Sequence, residues 1–542
     1  MFHAIKRSEI LVLFFFLFLF LIGLFTFNDY GIGIDEDNSR INGFVSLKYI
    51  FEILNLNFIN EINGIILPSI DGYDEQGNGV IFDLPLAFIE YFFNINDFRD
   101  AFLIRHLASF LLFYISLIYF YKLILDRHNS KLLGVLGVLM LFATPRIFAQ
   151  SFFNPKDIGF MALCIINLYY GFKFLKKKNV KYSILFSLTS GLAIGSRILG
   201  ILIPLLIIFI SFLDILRSKN KNNKKFFPLI FFIILFPLFT IVFWPFLWSD
   251  PVGNFFSAFQ NLSNHYRPIS NFFMGTYISS LYVPWYYILV WIVVTTPLLY
   301  LFFFSLGAFS IMKRLFKRLI KIDKNNSYND LWRGNKEKKD LIYLLIIIIP
   351  VFAVIILHSS LYSGWRHFYF IYPSIILISL QGVYTISLNL SKYKKLFFAL
   401  IFLFILPVIF WMVKNHPYQY VYFNSLVESK FDKYFDMDYW GVSNYNALSY
   451  LLEKNEGTLH VAIVGDSDLG QSRIFLNNSI RKRIVLTHDF IKADFLIDNF
   501  NRWNSGIRKT KKNLIIKNNF SVYFDMNINE VPFTRIYKNN FK

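Results

Sequence analysis

The chain has 542 residues, of which 55% are hydrophobic and 20% aromatic, and its mean hydropathy is +0.47. Because these apolar residues form long runs, the composition excludes a soluble protein and predicts a polytopic membrane protein. The net charge of +20 does not indicate nucleic-acid binding, since the basic residues cluster in short segments between apolar runs, where they set orientation.

The first apolar run, near 9–27, follows Lys6 and Arg7 and resembles a signal peptide. It lacks a small-residue cleavage pattern and many similar runs follow it, so we interpret it as a retained first span. The single cysteine, Cys164, lies inside an apolar run. With no partner cysteine, disulfides and Cys-rich metal sites are excluded.

The apolar runs predict eleven transmembrane helices, because a helix needs about 20 apolar residues to cross a bilayer. The predicted spans are 9–27, 104–125, 132–148, 157–175, 182–195, 197–216, 226–243, 285–311, 341–357, 367–388 and 396–413.

The basic residues support this count. With the N-terminus inside, the inner segments hold 26 Lys and Arg, and the outer segments up to residue 413 hold eight. One missed span would invert every later loop and destroy this bias. The sequence therefore predicts an integral protein of the cell (inner) membrane, with a cytoplasmic N-terminus and a periplasmic or extracellular C-terminal domain.

Two outer regions are large. The loop 28–100 carries thirteen Asp and Glu against three Lys and Arg, and its partly amphipathic stretches 43–59 and 81–95 predict helices on the membrane surface. The tail 414–542 is predicted to be a small soluble α/β domain. Its expected strands are 459–464, 483–486, 495–497 and 513–516.

An acidic triplet, Asp35, Glu36 and Asp37, follows the first span after a Gly-rich approach. Carboxylates at the water boundary are well placed for chemistry. They also fit a solvated loop that ends the helix, and the triplet alone does not separate the two interpretations.

A second aspartate, Asp157, follows Pro155 and Lys156 at the outer end of the fourth predicted span. It is a candidate site residue. It could equally cap the helix N-terminus, where a negative charge is favoured by about 0.3–1 kcal/mol.

Outer-face cations form a third group. Arg197 lies between two apolar runs, and Arg366 and His367 begin another. An arginine so placed snorkels to lipid head groups or binds an anion, so these residues are candidate phosphate contacts. Metal binding by His358 and His367 is disfavoured because their spacing matches no helical ligand pair.

Aromatic and polar residues gather at the same boundary. Tyr362 and Trp365 precede Arg366, and His416 and Tyr418 follow the last span. They suit sugar stacking and hydroxyl recognition, and they suit an interfacial anchor equally well. Because no P-loop, dinucleotide-binding turn or G-x-S-x-G elbow occurs, an activated membrane-borne substrate would have to supply the energy.

In this combination the chain resembles polyprenyl-phosphate-sugar-dependent glycosyltransferases of the GT-C fold. The resemblance is to the protein O-mannosyltransferase superfamily, which also contains the transferase that adds aminoarabinose to lipid A. It depends on the Asp35–Glu36 pair in a large first outer loop, Asp157 after a proline, a short paired fifth and sixth span, and an outer C-terminal domain. The stretches 362–373 and 416–424 also look like those of bacterial members.

The resemblance implies that Asp35 is the catalytic base with Glu36 beside it, and that Asp157 is the second site aspartate. The run on to Asp37 leaves open which carboxylate points into the site. Arg366, helped by Arg197, Lys156 or His367, would stabilise the carrier phosphate. The remaining candidates, Tyr362, Trp365, His416 and Tyr418, would contact the sugar or the acceptor.

The implied reaction moves a sugar, with inversion, from a polyprenyl-phosphate carrier to a hydroxyl or phosphate of a protein, lipid or glycan acceptor. A carrier with one phosphate makes a divalent metal less necessary, so no cofactor is expected. Membrane lipids are expected partners and nucleic acid is not. A transporter or flippase, and a polymerase or ligase of lipid-linked sugars, are the alternatives; the sequence identifies neither the sugar nor the acceptor.

Overall fold

The computed structural model describes residues 7–62, 64–216, 226–263, 268–320, 332–427, 429–500 and 516–542. The membrane part and its outer loops contain sixteen helices within these ranges. They are α1 Arg7–Thr26, α2 Glu36–Ile53, α3 Asp83–Phe92, α4 Phe98–His128, α5 Lys131–Phe142, α6 Pro145–Phe153, α7 Pro155–Lys177, α8 Val180–Ile194, α9 Leu202–Leu216, α10 Phe227–Phe243, α11 Pro251–Ser263, α12 Tyr287–Thr295, α13 Leu298–Ile320, α14 Gly334–Leu357, α15 Tyr372–Asn389 and α16 Lys394–Lys414.

The protein is an α-helical polytopic membrane protein, but fewer helices reach spanning length than the sequence predicts. Every one of the eleven predicted segments is helical in large part. Within the described ranges, eight helices are long and apolar enough to cross a membrane, and counting the bent pair α5–α6 as one span gives nine. The other two, α8 with 15 residues and α10 with 17, fall short of the usual length.

Prolines explain two further differences. The predicted span 285–311 is broken at Thr296 and Pro297, which separate α12 from α13. The predicted span 132–148 bends by 66° where α6 begins at Pro145. A proline has no N–H to continue a helix and disfavours helical geometry in the residue before it.

The loop after α1 folds around α2 and α3, whose apolar residues share a small core that includes Phe44, Val45 and Ala87. A two-stranded hairpin, β1 Glu61–Ile62 and β2 Ile65–Ile66, lies between them. Helix α2 begins seven residues before the predicted stretch 43–59 and ends at Ile53, and α3 lies inside the predicted 81–95. Their position on the membrane surface stays a prediction.

The loop after α10 contains the amphipathic helix α11 and a second hairpin. Its strands are β3 Ser270–Phe273 and β4 Thr276–Ser279. An isolated bridge joins Phe273 to Phe435, so this hairpin also contacts the tail.

The tail forms a five-stranded mixed sheet with helices, in the order β6-β5-β7-β9-β8. Three of the predicted strands are present, and residues 513–515 of the fourth lie outside the described residues. The long final hairpin was not predicted. The tail elements are α17 Ser443–Lys454, β5 Leu459–Ile463, α18 Leu469–Phe475, α19 Asn478–Arg481, β6 Ile484–Leu486, β7 Phe495–Asp498, β8 Phe520–Ile528 and β9 Val531–Asn539.

The tail is packed against the membrane part. One continuous apolar core extends from Phe16 in α1 to Ile536 in β9. A smaller cluster joins Ile32, beside the acidic triplet, to Phe102 in α4 and Phe475 in α18. Helix α18 of the tail therefore holds the surroundings of the acidic triplet in place.

Candidate active site

The turn that leads into the acidic triplet is held by the tail. A side chain at Gly31 would place its Cβ 2.5 Å from the carbonyl oxygen of Val442, so only glycine permits this approach. The Ile34 N–H donates to the carbonyl oxygen of Trp440 at 3.1 Å. These contacts fix where Asp35 stands at the start of α2.

Asp35 does not cap the helix it precedes. It occupies the N-cap position of α2, yet its side chain makes no capping hydrogen bond. Instead, Oδ2 accepts a hydrogen bond from Nη1 of Arg366 at 2.8 Å. Its Oδ1 makes no hydrogen bond within the described part of the chain, and the side chain is 31% exposed. Oδ2 is therefore held by Arg366, while Oδ1 remains without a hydrogen-bond partner among the described residues.

Arg366 joins this carboxylate to Asp157. The same Nη1 lies 3.5 Å from Oδ2 of Asp157, whose side chain is only 1% exposed. Asp157 also forms an ion pair with Arg197 and accepts from Nδ2 of Asn154 at 2.9 Å. The capping role at the start of α7 belongs to Asn154, whose Oδ1 accepts from the Asp157 N–H. The Asp157 carboxylate thus binds cations.

Lys156 completes the group and is its most open cation. Its Nζ lies 3.9 Å from Glu75, and its side chain is 31% exposed. The chain brings these residues together from four distant segments. We call the set the Asp35 cluster: Asp35, Lys156, Asp157, Arg197 and Arg366.

Two aromatic rings enclose the Arg366 guanidinium. Its Cζ lies 4.5 Å from the ring centroid of Trp440 and 5.2 Å from that of Tyr362. Cation–π contacts of this kind stabilise a desolvated arginine. The Arg366 Nε is buried and has no hydrogen-bond partner among the described residues. Trp440 was not among the site residues predicted from the sequence.

Glu36 lies next to Asp35 in sequence but has different partners. Its Oε1 accepts from the Gly33 N–H at 2.6 Å, and Oε2 lies 3.0 Å from Nε2 of His106 in α4. Both Glu36 and His106 are buried. Through these contacts, Glu36 stabilises the turn before Asp35.

The environments of the two carboxyls push their pKa values apart. Burial acts to raise the pKa of Asp35, but the charges of Arg366 and Lys156 more than offset it and leave that pKa below its usual value. Burial raises the pKa of Glu36 and outweighs the opposing effect of His106. The ionised form is therefore favoured more strongly at Asp35 than at Glu36.

A second buried charge network joins α2 and α3 to α4. Arg40 Nε donates to Glu90 at 2.8 Å, and Arg105 in α4 lies 3.2 Å from Asp83 and 3.3 Å from Glu90. Sequence analysis gave these residues no role. The available signal was the placement of charges inside otherwise apolar helical segments, since such charges are buried only when paired.

Two further predicted residues, Trp365 and His367, have partners outside the Asp35 cluster. Trp365 is buried, and its indole N–H donates to Oγ1 of Thr295 at 2.8 Å. The His367 ring packs against Tyr362 with centroids 5.0 Å apart.

His416 and Tyr418 lie at the start of the tail. Nε2 of His416 lies 2.8 Å from Asp29, and the Tyr418 ring packs against Phe533 with centroids 4.7 Å apart. Burial raises the pKa of Tyr418 to about 12. His416 therefore joins the start of the tail to the segment after α1, and Tyr418 packs against the final hairpin of the tail.

No curated protein sequence matches the chain. The solved structure of ArnT from Cupriavidus metallidurans in the apo state is 11% identical, with 99% of this chain and 98% of that chain covered and a TM-score of 0.47. The archaeal oligosaccharyltransferase AglB from Archaeoglobus fulgidus, in complex with an inhibitory peptide and a dolichol-phosphate, is also 11% identical. It covers 90% of this chain and 69% of that chain, with a TM-score of 0.49.

A family model also matches part of the chain. The matched residues, 84–244, begin in α3 and end just after α10, so they include Asp157, Lys156 and Arg197. The resemblance predicted from the sequence is therefore confirmed over this segment, where the chain matches the dolichyl-phosphate-mannose-protein mannosyltransferase family.

Proposed function

We propose that the protein is an integral-membrane glycosyltransferase that moves a sugar from a polyprenyl-phosphate carrier to an acceptor hydroxyl or phosphate at the outer face of the cell membrane. The observation that supports this most is the Asp35 cluster, in which two carboxylates and three cations meet at one end of the helix bundle. The mannosyltransferase family match over 84–244 supports the same class of reaction.

Asp35 acts as the base. Its open Oδ1 takes the proton of the acceptor hydroxyl while Oδ2 stays bonded to Arg366. The acceptor oxygen then forms a bond to the anomeric carbon, and the bond from that carbon to the carrier phosphate breaks. A positioned base of this kind contributes about 10²–10⁴-fold to the rate. A single displacement inverts the anomeric centre.

The cations stabilise the departing phosphate, which leaves with the electron pair of the broken bond. Lys156 is the most exposed cation of the cluster, and Arg366 adds a second positive charge beside Asp35. Arg197 neutralises Asp157 and so keeps a second negative charge from repelling the phosphate. Such preorganised positive charge lowers the barrier without rearrangement during the reaction.

The aromatic candidates keep their proposed contacts. Tyr362 lies beside Arg366 and would border the sugar, and His367, which packs against Tyr362, would contact the carrier phosphate. Trp365, His416 and Tyr418 would shape the acceptor side through the elements that they join. The basic-residue bias supports a cytoplasmic N-terminus and a periplasmic or extracellular tail.

The test is transfer of radiolabelled sugar from a panel of polyprenyl-phosphate sugars into macromolecular fractions, using membranes with the wild type and the Asp35→Asn variant. We expect Asp35→Asn to reduce transfer by about 10²–10⁴-fold while carrier-lipid binding is kept. The matched control is Asp37→Asn, whose carboxyl lies 3.9 Å from Arg40 and outside the cluster; it should keep most activity.

Asp157→Asn provides a second variant, with thermal stability in detergent measured beside it because Asp157 is buried. Transfer that survives in Asp35→Asn would refute the proposed base. No transfer from any donor, together with movement of labelled lipid across the membrane that the variants leave unchanged, would favour a flippase. Extension of a lipid-linked glycan would favour a polymerase or ligase.

A further inference from the structure

A group of lysines and tyrosines lies on α4 and α7, toward the ends of these helices that point away from the Asp35 cluster. On α4 the spacing of these residues places them on one face, and the same holds on α7. The hydroxyls of Tyr119 and Tyr170 lie 3.1 Å apart and join the two helices. We call the set the Lys122 patch: Tyr119, Lys122, Asp126, Tyr169, Tyr170 and Lys173.

The two lysines of the patch converge on one aromatic ring. Nζ of Lys122 lies 4.7 Å from the ring centroid of Tyr119 and 6.0 Å from that of Tyr169. Nζ of Lys173 lies 5.1 Å from the same Tyr169 centroid. Because like charges held close together repel each other, an anion between the two ammonium groups is favoured.

The carboxylate of Asp126 does not balance this charge. Its Oδ2 lies 3.0 Å from Nζ of Lys173 and 3.7 Å from Nζ of Lys339 in α14. Lys122 is exposed and forms no ion pair within the part of the chain that the structure describes. Three ammonium groups therefore stand against one carboxylate, and the surface has an excess of positive charge.

Lys122 lies at the depth of lipid head groups. It follows Phe98, the first residue of α4, by 24 residues or about 36 Å, whereas the hydrocarbon core of a bilayer is about 30 Å thick. Ile115 lies two turns before Lys122 on the same face and is 45% exposed. The charged patch therefore continues, toward the middle of α4, into an exposed apolar surface.

The tyrosine hydroxyls add a hydrogen-bond donor. Tyr119 and Tyr170 share one hydrogen bond, so one of their two hydroxyl protons remains for a ligand. Ammonium groups and a hydroxyl are suitable donors for the oxygens of a phosphate.

We propose that the Lys122 patch binds the head group of an anionic phospholipid, with the phosphate against Lys122 and Lys173 and the acyl chains along the Ile115 face of α4. A zwitterionic head group brings a cation of its own to this positive surface and is bound less tightly. The patch shares no residue with the Asp35 cluster, so the proposal does not depend on the proposed transfer reaction.

The test measures binding of phosphatidylglycerol, and of phosphatidylcholine with the same acyl chains, to the full chain in a neutral detergent. Native mass spectrometry over a lipid titration at fixed ionic strength gives the two dissociation constants. We expect the wild type to bind phosphatidylglycerol at least about five-fold more tightly, because each lysine near a head group contributes about this factor.

Lys122→Gln should weaken phosphatidylglycerol binding by about five-fold and leave phosphatidylcholine binding unchanged. Lys122→Arg keeps the charge and should keep the preference. The double variant Lys122→Gln/Lys173→Gln should bind the two lipids equally. Because Lys173 is paired with Asp126, the thermal stability of each lipid-free variant is measured to separate misfolding from a loss of binding.

Lys392→Gln is the matched control. Lys392 is also exposed, and its Nζ lies 5.6 Å from the ring centroid of Tyr393. The variant therefore removes one charge beside a tyrosine, but outside the Lys122 patch. It should keep the wild-type preference for phosphatidylglycerol.

Three results would overturn the inference. In the first, the wild type binds both lipids equally. In the second, Lys392→Gln weakens phosphatidylglycerol binding as much as Lys122→Gln, so the attraction belongs to the basic surface as a whole. In the third, glycerol phosphate without acyl chains displaces the lipid at equal concentration, which assigns the patch to a soluble anion. All three can be read whether or not sugar transfer is observed.

Discussion

Two buried charge clusters lie at opposite ends of the same helix bundle. One is the Asp35 cluster. The other, the Asp340 cluster, consists of Arg127, Arg314, Asp340 and Gln381. Helix α4 reaches both ends. Arg127 lies in its last turn, and His106, which contacts Glu36 beside Asp35, lies in its first third. At 1.5 Å per residue, about 30 Å separates the two residues.

The clusters differ in how completely their carboxylate oxygens are hydrogen-bonded. In the Asp340 cluster, Arg127 makes two parallel hydrogen bonds of 2.7 Å to Asp340 and a third to Gln381 at 2.9 Å, while the Asp340 side chain is 2% exposed. In the Asp35 cluster, Asp35 keeps an open oxygen and Lys156 has only a distant partner. A closed network holds helices together, whereas an open one can exchange partners with a substrate.

The largest effect that separates the clusters is expected for Asp340→Asn. Removing this carboxylate leaves Arg127 buried without its ion pair, which costs about 3–5 kcal/mol of stability. We expect a clear fall in the thermal unfolding temperature in detergent. The matched control is Glu9→Gln, because the Glu9–Lys131 pair is exposed and contributes little. An unchanged unfolding temperature in Asp340→Asn with a selective loss of transfer would reverse the comparison.

Arg366→Gln tests the opposite end. We expect kcat to fall by about 10²–10³-fold, because positive charge beside the departing phosphate is lost. Arg366→Lys keeps the charge and should recover part of this loss. Single-turnover transfer at saturating donor measures the effect. Equal activity of the two variants would show that geometry alone, and not charge, is required here.

The pH profile provides a smaller and more specific test. The Arg366 and Lys156 charges hold the pKa of Asp35 below its usual value, so in the wild type the base stays ionised to a lower pH than a free aspartate does. In Arg366→Gln the effect of burial is less opposed, and the acid limb of kcat/KM should move to higher pH. In Arg366→Lys it should move less. A limb that is identical in all three proteins would exclude Asp35 as the titrating group.

The smallest effect is expected for Trp440→Phe. A ring is kept over Arg366, so the change is limited to part of a cation–π contact of about 0.5–2 kcal/mol in total. We expect a few-fold loss of kcat/KM without loss of stability. Trp285→Phe is the control, since Trp285 is 65% exposed. A loss as large as that of Arg366→Gln would mean that Trp440 itself contacts substrate.

Much of the fold follows from composition, because each apolar run is long enough to identify a helix. Bends do not follow in this way. The breaks at Pro145 and Pro297 lie inside predicted spans, and hydropathy reports length, not direction. The final hairpin of the tail was missed because β8 carries the polar residues Asp525 and Asn527 among its apolar ones.

The residues of the Asp35 cluster could each be named from the sequence because they stand at a water boundary beside an apolar run. The contacts between them could not be predicted, since these depend on how the segments that contain residues 35, 157, 197 and 366 pack together. The contact between Glu36 and His106 could not be predicted for another reason. A histidine in an apolar helix has no sequence signal that names its partner.

The contacts at Gly31 and Ile34 bear on how the chain tolerates change. Domains that meet through a small, polar surface can be exchanged or trimmed as units. Here the tail supplies a backbone carbonyl to the turn before Asp35 and the ring over Arg366. A shortened chain that stops after α16 would keep its spans and lose one wall of the reaction centre. Substitutions in the tail and in the first loop therefore have to be compatible with each other.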